Sequence, residues 1–404
     1  MNRAYRHIWS AARGAYVIAP ETARGHGKSG RAQRAVRTPA LVASLVLAGA
    51  ATAAAPPPAT TVVPVEGKAN AYISANGVPV VNINGANAAG VSHNQFTRYD
   101  VEAKGLVLNN SSFMNAPVVQ SKLAGQLVGN LNLGTEAKVI VNEVVSTNRS
   151  TLAGYTEVAG GKADVIVANP YGITCDGCGF INSDRVTLTT GIPGWGADGS
   201  FNGVNVTRGD ILVKGAGLNA SAQQILDLVT RAVRIDGQIN TAEGGSLGLY
   251  AGPHQWSYAS REVTGKLDGA DAKPEYAIDS TALGGMYAGR IRLIATEAGV
   301  GVRMLGDAAA SVDDFRLDAA GKVVLQSRVA AGRDIQVAQA GNGAIEMTGA
   351  GASLTAAKDI KLQAAGALAF NEGLLKAGGK LAVTGASLTD TSGSAATRTA
   401  GTDV

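Results

Sequence analysis

Short β-prone runs recur along most of this chain between Gly and Asn turns. They include VPVVNIN from Val78, GLVLNNS from Gly105, AKVIVNEVV from Ala137, KADVIVANP from Lys162 and DRVTLTTG from Asp184. Runs this short, rich in Val, Ile, Leu and Thr, are strand signals. In the second half a loose repeat appears: GRIRLIA from Gly289, GKVVLQS from Gly321, GRDIQVA from Gly332, GAIEMTG from Gly343, AKDIKLQ from Ala357 and GKLAVTG from Gly379. With the weaker GALAFNE run from Gly366, a strand begins every 9 to 14 residues from Gly321 onward. Two or three such strands make a coil of roughly 20 to 30 residues, which is solenoid spacing. The expected class is all-β.

Composition narrows the architecture. The chain of 404 residues has 53 Gly, 46% hydrophobic residues and only 5% aromatic residues. A propeller expects aromatic signatures in units of about 40 residues, and a sandwich expects hairpins with polar outer faces. Small and aliphatic side chains suit the stacked ladders of a parallel β-helix instead, with Asn side chains bonding along the turns. One segment reads two ways. SAQQILDLVTRAVRI from Ser221 fits either a Ser-capped helical turn or two strands. The Gly-Arg-Asp and Ala-Lys-Asp turns place charge at coil corners, where solvation alone accounts for it.

The charge balance is split along the chain. Of 35 basic and 31 acidic residues, eight basic residues and one acid lie in residues 1–53, leaving 27 basic against 30 acidic. The basic excess therefore belongs to the leading segment, and a nucleic-acid partner is not expected. That segment reads as an export signal. Arg31, Arg34 and Arg37 precede the apolar run Ala40 to Ala51, which is too short to span a bilayer of about 20 helical residues. Ala51-Thr52-Ala53 offers small residues for cleavage after Ala53; cutting after Ala55 would place Pro56 next to the scissile bond. No later segment is apolar enough to cross a membrane as a helix.

Two stretches carry a family resemblance. The first runs from Val78 to Ser111 and contains GVSHNQF and GLVLNN; the second, Leu152 to Asn182, contains NPYGI. Together with the additional leader ahead of the signal, they resemble the amino-terminal secretion domain of two-partner secretion exoproteins. This is the group of filamentous haemagglutinin, the haemolysins and the contact-dependent growth-inhibition proteins. The resemblance implies a right-handed parallel β-helix with an amino-terminal cap. It divides the chain into an extended signal peptide (1–53), a Pro-rich linker (54–66), a secretion domain (67–300) and the start of a β-helical repeat region (301–404). It implies no cofactor. The implied partner is an outer-membrane β-barrel transporter with periplasmic binding domains, with host or bacterial surface receptors beyond it. The implied location is the surface of a Gram-negative cell, reached through the periplasm.

Two family motifs have counterparts here. Asn130-Leu131-Asn132-Leu133 has Leu where the family has Pro, and Asn169-Pro170-Tyr171-Gly172-Ile173 has Tyr where the family has a second Asn. Physically, Pro170 fixes φ and Gly172 tolerates a left-handed backbone, so NPYG reads as a β-turn. A purely structural turn and a transporter-recognition element are compatible readings of both motifs.

Cys175 and Cys178 are the only cysteines, spaced C-x-x-C. In the cytosol such a pair would suggest redox or zinc chemistry. After export only His93 and His254 remain as histidines, without ligand spacing, so a disulfide is the favoured reading over free thiols in an oxidising compartment. The haemolysin and growth-inhibition members share the pair. An enzyme is not expected: the acids are scattered, and Asp313 and Asp314, if on a strand, would face opposite sides. The sequence also reads as the delivery end of a longer exoprotein, with any adhesive or toxic activity in sequence outside these residues.

Overall fold

A computed structural model describes residues 5–10, 15–20, 61–66, 69–341, 343–391 and 398–401. The chain divides into two units, 1–56 and 57–404. In the first, Tyr5–Ser10 pairs antiparallel with Ala15–Pro20. The apolar run Ala40 to Ala51 and the cleavage residue Ala53 lie outside the described residues.

The second unit winds as a parallel β-helix whose coils each contribute one strand to up to three sheets, of 12, 10 and 13 strands. Residues 139–160 show the path: Val139–Val144 joins the first sheet, Ser150–Leu152 the second and Tyr155–Gly160 the third, after which Asp164–Ala168 returns to the first. Stacking is in register. Ile140, Val165, Val186, Leu226, Leu247, Ile291, Phe315, Ile335, Ile360 and Leu381 form one continuous inward column of the first sheet. Each is at most 2% exposed. Because every inward position faces its own equivalent above and below, mainly aliphatic side chains fill the core, with Phe315 the one aromatic in this column. No break marks residue 300, since Arg290–Ala295 pairs in register with Phe315–Ala319.

The amino end is closed by antiparallel strands. Val62–Pro64 pairs with the end of Val91–Tyr99, and Asn70–Ile73 pairs with Pro79–Asn82. Val62–Pro64 lies in the stretch expected to be linker. Its Val62 side chain is fully buried, so apolar anchoring extends the fold to within a few residues of the proline run.

Other sequence expectations are resolved in detail. The segment from Ser221 is two strands, Ile225–Thr230 and Ala232–Ile235, and no helix occurs among the described residues. The loose repeat mixes two sheets: the runs at Gly332, Ala357 and Gly379 belong to the first, while those at Gly321, Gly343 and Gly366 belong to the second. The intervening third-sheet strands are short, and two of them, Ala308–Ala310 and Arg328–Ala331, are alanine-rich. The corner charges do more than face water. Asp314 Oδ1 accepts from the Asp334 backbone N–H at 3.1 Å, Asp334 Oδ1 from Asp359 N–H at 3.0 Å, and Asp359 Oδ1 from Lys380 N–H at 2.8 Å. Each carboxylate thus caps the coil that follows it. Asp313 and Asp314 sit in the turn before Phe315–Ala319, not on a strand.

Two elements stand outside the coils. A hairpin, Val118–Ser121 with Gly125–Val128, packs Ala124 and Leu127 over the outer face of the third sheet at Val80, Val107 and Ala159. A four-stranded antiparallel sheet covers the outer face of the first sheet; in spatial order its strands are Ile192–Trp195, Phe201–Val206, His254–Ser257 and Glu262–Lys266. Phe201, Val204, Val206 and Trp256 pack there against Val91, Val141, Ile166, Val229 and Tyr250.

Candidate recognition motifs

The two asparagine motifs make the same turn. Asn169 ends the coil corner after Asp164–Ala168; its side-chain Oδ1 accepts from Tyr171 N–H at 2.9 Å, and its carbonyl accepts from Gly172 N–H at 3.0 Å. At Asn130 the partners are Asn132 N–H at 2.9 Å and Leu133 N–H at 3.3 Å. An Asn that accepts from the amide two residues on, within a β-turn, fixes the turn locally.

Both asparagines are also tied inward. Asn169 Nδ2 donates to the Asn148 carbonyl at 2.8 Å and to Ser150 Oγ at 2.9 Å; Asn130 Nδ2 donates to the Ile83 carbonyl at 2.8 Å and the Asn109 carbonyl at 3.1 Å. They are 0% and 1% exposed. What the turns present outward is the central pair: Leu131 is 77% exposed and Asn132 is exposed beside it, while Tyr171 is 41% exposed. Leu133 and Ile173 are buried. Leu131 occupies the turn position that Pro favours, and with its side chain in solvent the turn forms without the ring.

The motifs lie at different corners. Asn130 belongs to the excursion between a third-sheet and a first-sheet strand, and Asn169 to the step from first to second sheet. Gly172 has φ +106°, and a Cβ there would run into the Arg149 guanidinium. Arg149 braces this corner, donating to both Asp210 carboxylate oxygens at 2.8 Å, to Thr174 Oγ1 at 2.8 Å and to the Ile173 carbonyl at 3.0 Å. Beside it, the Arg208 guanidinium lies 5.4 Å from the Tyr171 ring centroid.

Cys175 and Cys178 are joined as a disulfide, with Cα atoms 5.4 Å apart. Cys175 ends the second-sheet strand Ile173–Cys175 and Cys178 begins the third-sheet strand Cys178–Ile181, so the bond staples a coil corner. Gly177, at φ +85°, completes the tight loop.

The remaining chemical candidates are absorbed by structure. His93 Nε2 bonds Glu143 Oε2 at 2.7 Å, which holds the Glu143 carboxyl below its ordinary range. His254 is fully buried, with Nδ1 against the Gly252 carbonyl at 2.6 Å, and burial pushes its pKa down to about 4. Asp313 pairs with Arg290 and, at 3.7 Å, with Arg333. Among the described residues no group of three or more His, Cys, Asp or Glu is arranged to hold a metal.

Sequence reasoning missed two anchoring carboxylates. Glu157 of the third sheet accepts from Ser121 Oγ at 2.7 Å and from the N–H groups of Lys122 and Leu123 at 2.8 Å, fixing the hairpin turn. Asp227 of the first sheet holds the four-stranded sheet through Arg185 and Arg261. Clustered aromatics at Trp195, Phe201, Tyr250, Trp256 and Tyr258, in a chain otherwise poor in them, were the available signal.

Comparison with known proteins agrees with this geometry. Residues 59–325 match the TPS secretion domain, and residues 1–52 match the Extended Signal Peptide of Type V secretion system. The chain is 48% identical over 261 residues to the 16S rRNA endonuclease CdiA of Enterobacter cloacae, covering 64% of this chain and 8% of that protein. It is 42% identical over 320 residues to the tRNA nuclease CdiA of Yersinia mollaretii, covering 76% of this chain and 10% of that protein. It therefore spans about a tenth or less of the length of these relatives. The crystal structure of a filamentous hemagglutinin secretion domain superimposes with a TM-score of 0.62 at 32% identity, covering 83% of this chain and all of that one. The right-handed β-helix and its leader thus agree, and the chain belongs to the TPS secretion domain family of exported, surface-directed Gram-negative exoproteins.

Proposed function

We propose that this domain addresses a large exoprotein to a cognate outer-membrane transporter, a β-barrel with periplasmic binding domains, and that Asn130–Leu133 and Asn169–Ile173 serve that recognition. The observation that carries this reading is the burial of Asn130 and Asn169. A partner that reads these side chains meets them before the coils close; the finished fold offers it Leu131, Asn132, Tyr171 and the half-buried Pro170. Recognition of the unfolded chain and formation of the turn then draw on the same residues at successive stages.

The test is secretion of the Asn132→Ala, Asn169→Ala double variant from cells carrying the transporter. Impaired extracellular yield is expected; normal yield discards the recognition role. Measuring the refolding midpoint of the same purified variant separates loss of recognition from loss of stability.

Likeness to the CdiA proteins favours contact-dependent growth inhibition over a purely adhesive exoprotein. On that reading the toxic activity and the bacterial or host receptor contacts belong to sequence outside these residues. A small immunity gene beside the reading frame supports it; a transporter gene with no immunity gene favours the adhesin.

A further inference from the structure

The hairpin outside the third sheet has one edge in use and one bare. Val118 stands opposite Val128 and Gln120 opposite Gln126, and Gly129 N–H donates to the Pro117 carbonyl at 2.9 Å. Hydrogen-bonded pairs alternate along an antiparallel ladder, so Pro117, Val119 and Ser121 bond the neighbouring strand. The N–H and C=O groups of Val118 and Gln120 therefore point away from it. On the other edge the Val128 carbonyl accepts from Asn109 Nδ2 at 2.9 Å. Along Val118–Ser121 the two-stranded sheet stops, and nothing among the described residues bonds the two N–H and two C=O groups of Val118 and Gln120.

Beside this bare edge runs a cleft of about 370 Å³, within the size range of ligand sites. Val119, Gln120 and Lys122 line one side; Ile181, Asn182 and Gln223, from the two coils that follow, line the other. Gln223 is 0% exposed and donates through Nε2 to the Phe180 and Ser183 carbonyls at 3.2 and 3.0 Å, while its Oε1 has no partner. The charges around the cleft reduce to one. Glu157 is buried beneath its three donors, and Lys162 pairs with Asp184 at 2.8 Å. Lys122 is exposed, and no carboxylate among the described residues pairs with its ammonium group. Val118, directly opposite Val128, leaves about half of its apolar surface in solvent.

An unpaired edge matches another strand, whose N–H and C=O groups alternate at the same spacing about 4.8 Å away. A small anion would meet Lys122 and leave the edge unsatisfied. We propose that Val118–Ser121 receives an extended acidic peptide as a third strand of this sheet, with an apolar residue beside Val118 and a carboxylate at Lys122. The proposal is independent of transporter recognition, since the edge includes neither asparagine motif and secretion is not its readout. Four edge hydrogen bonds place the dissociation constant of a short peptide near about 1 mM.

The test titrates the isotope-labelled secreted chain with acetyl-Thr-Glu-Ala-Thr-Ala-Val-Thr-amide and follows backbone amide shifts by NMR. Saturable shifts are expected at the Val118 and Gln120 amides. Gln120→Pro should weaken binding about tenfold or more and keep the wild-type denaturation midpoint, because that N–H makes no bond within the hairpin. The same peptide N-methylated at Val and at the central Thr makes the equivalent cut on the wild-type chain and should not bind. Lys122→Gln, or Lys in place of Glu in the peptide, should cost about threefold. The proposal is overturned if about 10 mM peptide leaves the two amides unmoved, if the N-methylated peptide binds as well as its parent, or if the lysine peptide binds equally. Shifts at these amides on raising the protein concentration alone would also overturn it, by assigning the edge to a second copy of the chain.

Discussion

Arg261 Nη2 donates to Asp227 Oδ1 at 2.7 Å, joining the turn that leads into the outermost strand of the four-stranded sheet to a carboxylate fully buried in the first sheet. Arg261 adopts φ +56° to make this reach, and Arg185 adds a second contact at 3.3 Å while its guanidinium sits 3.7 Å from the Tyr258 ring centroid. Burial pushes the Asp227 carboxyl above its ordinary value, with both guanidiniums pulling it back. Removing the anion leaves two cations facing a neutral group. Asp227→Asn should therefore destabilise the protein by about 3 kcal/mol or more. Urea unfolding followed by tryptophan fluorescence measures it, and a change under about 0.5 kcal/mol would show that the pair gives no net stabilisation.

At the first motif, Leu131→Pro restores the residue the family uses. The position is the second of a β-turn, its side chain is in solvent, and its N–H makes no backbone hydrogen bond among the described residues. Stability should be unchanged or rise by about 0.4–1 kcal/mol through the unfolded state. A drop in the urea midpoint would mean that the turn departs from the proline-compatible φ.

Asn169→Ala removes two inward donors and the acceptor for Tyr171 N–H at once. A loss of about 2 kcal/mol is expected, against a small effect for Tyr171→Asn at the exposed tip. Comparable losses for the two variants would contradict the division between buried asparagine and presented tip.

The cysteine pair should be fully oxidised in the secreted protein. Mass spectrometry of unreduced material after alkylation should find no labelled thiol, and two labelled thiols would refute the disulfide. Reduction should lower stability by about 2 kcal/mol, the small value expected for so short a loop.

His254 makes stability depend on acid. Its folded pKa, near 4, lies below its ordinary value of 6.5, so the unfolded chain binds the proton first. The contribution is complete above about pH 6.5 and falls as pH drops toward 4, by about 1.4 kcal/mol per unit within that window. His254→Phe should flatten that part of the pH profile of the urea midpoint, and an unchanged slope would rule the histidine out.

The coils were legible because an inward column such as Ile140 to Leu381 imposes one residue type at each crossing of the first sheet. The third sheet was less so: Ala308–Ala310 and Arg328–Ala331 are alanine-rich and carry little alternation. Strand type at Ser221 stayed open because Ile225–Leu226 and Leu228–Val229 are apolar at adjacent positions on either side of Asp227. Leu226 and Leu228 face the core while Val229 lies under the four-stranded sheet, so both faces are covered and periodicity vanishes. That sheet itself depends on long-range packing, which no local pattern announces. Of the motifs, the NPYG turn could be read from Pro170 and Gly172; the burial of Asn130 could not, because its partners Ile83 and Asn109 come from earlier coils.

The antiparallel strands at the amino end give the stack a direction. Val62–Pro64 and Asn70–Ile73 occupy the hydrogen-bonding edges on which a preceding coil would otherwise sit. Elongation is thereby confined to the other end, each finished coil serving as the seed for its successor. A second molecule meeting that end finds the leading edges of the first and third sheets already paired, which guards a protein built from stacked edges against joining others into a fibre from that side.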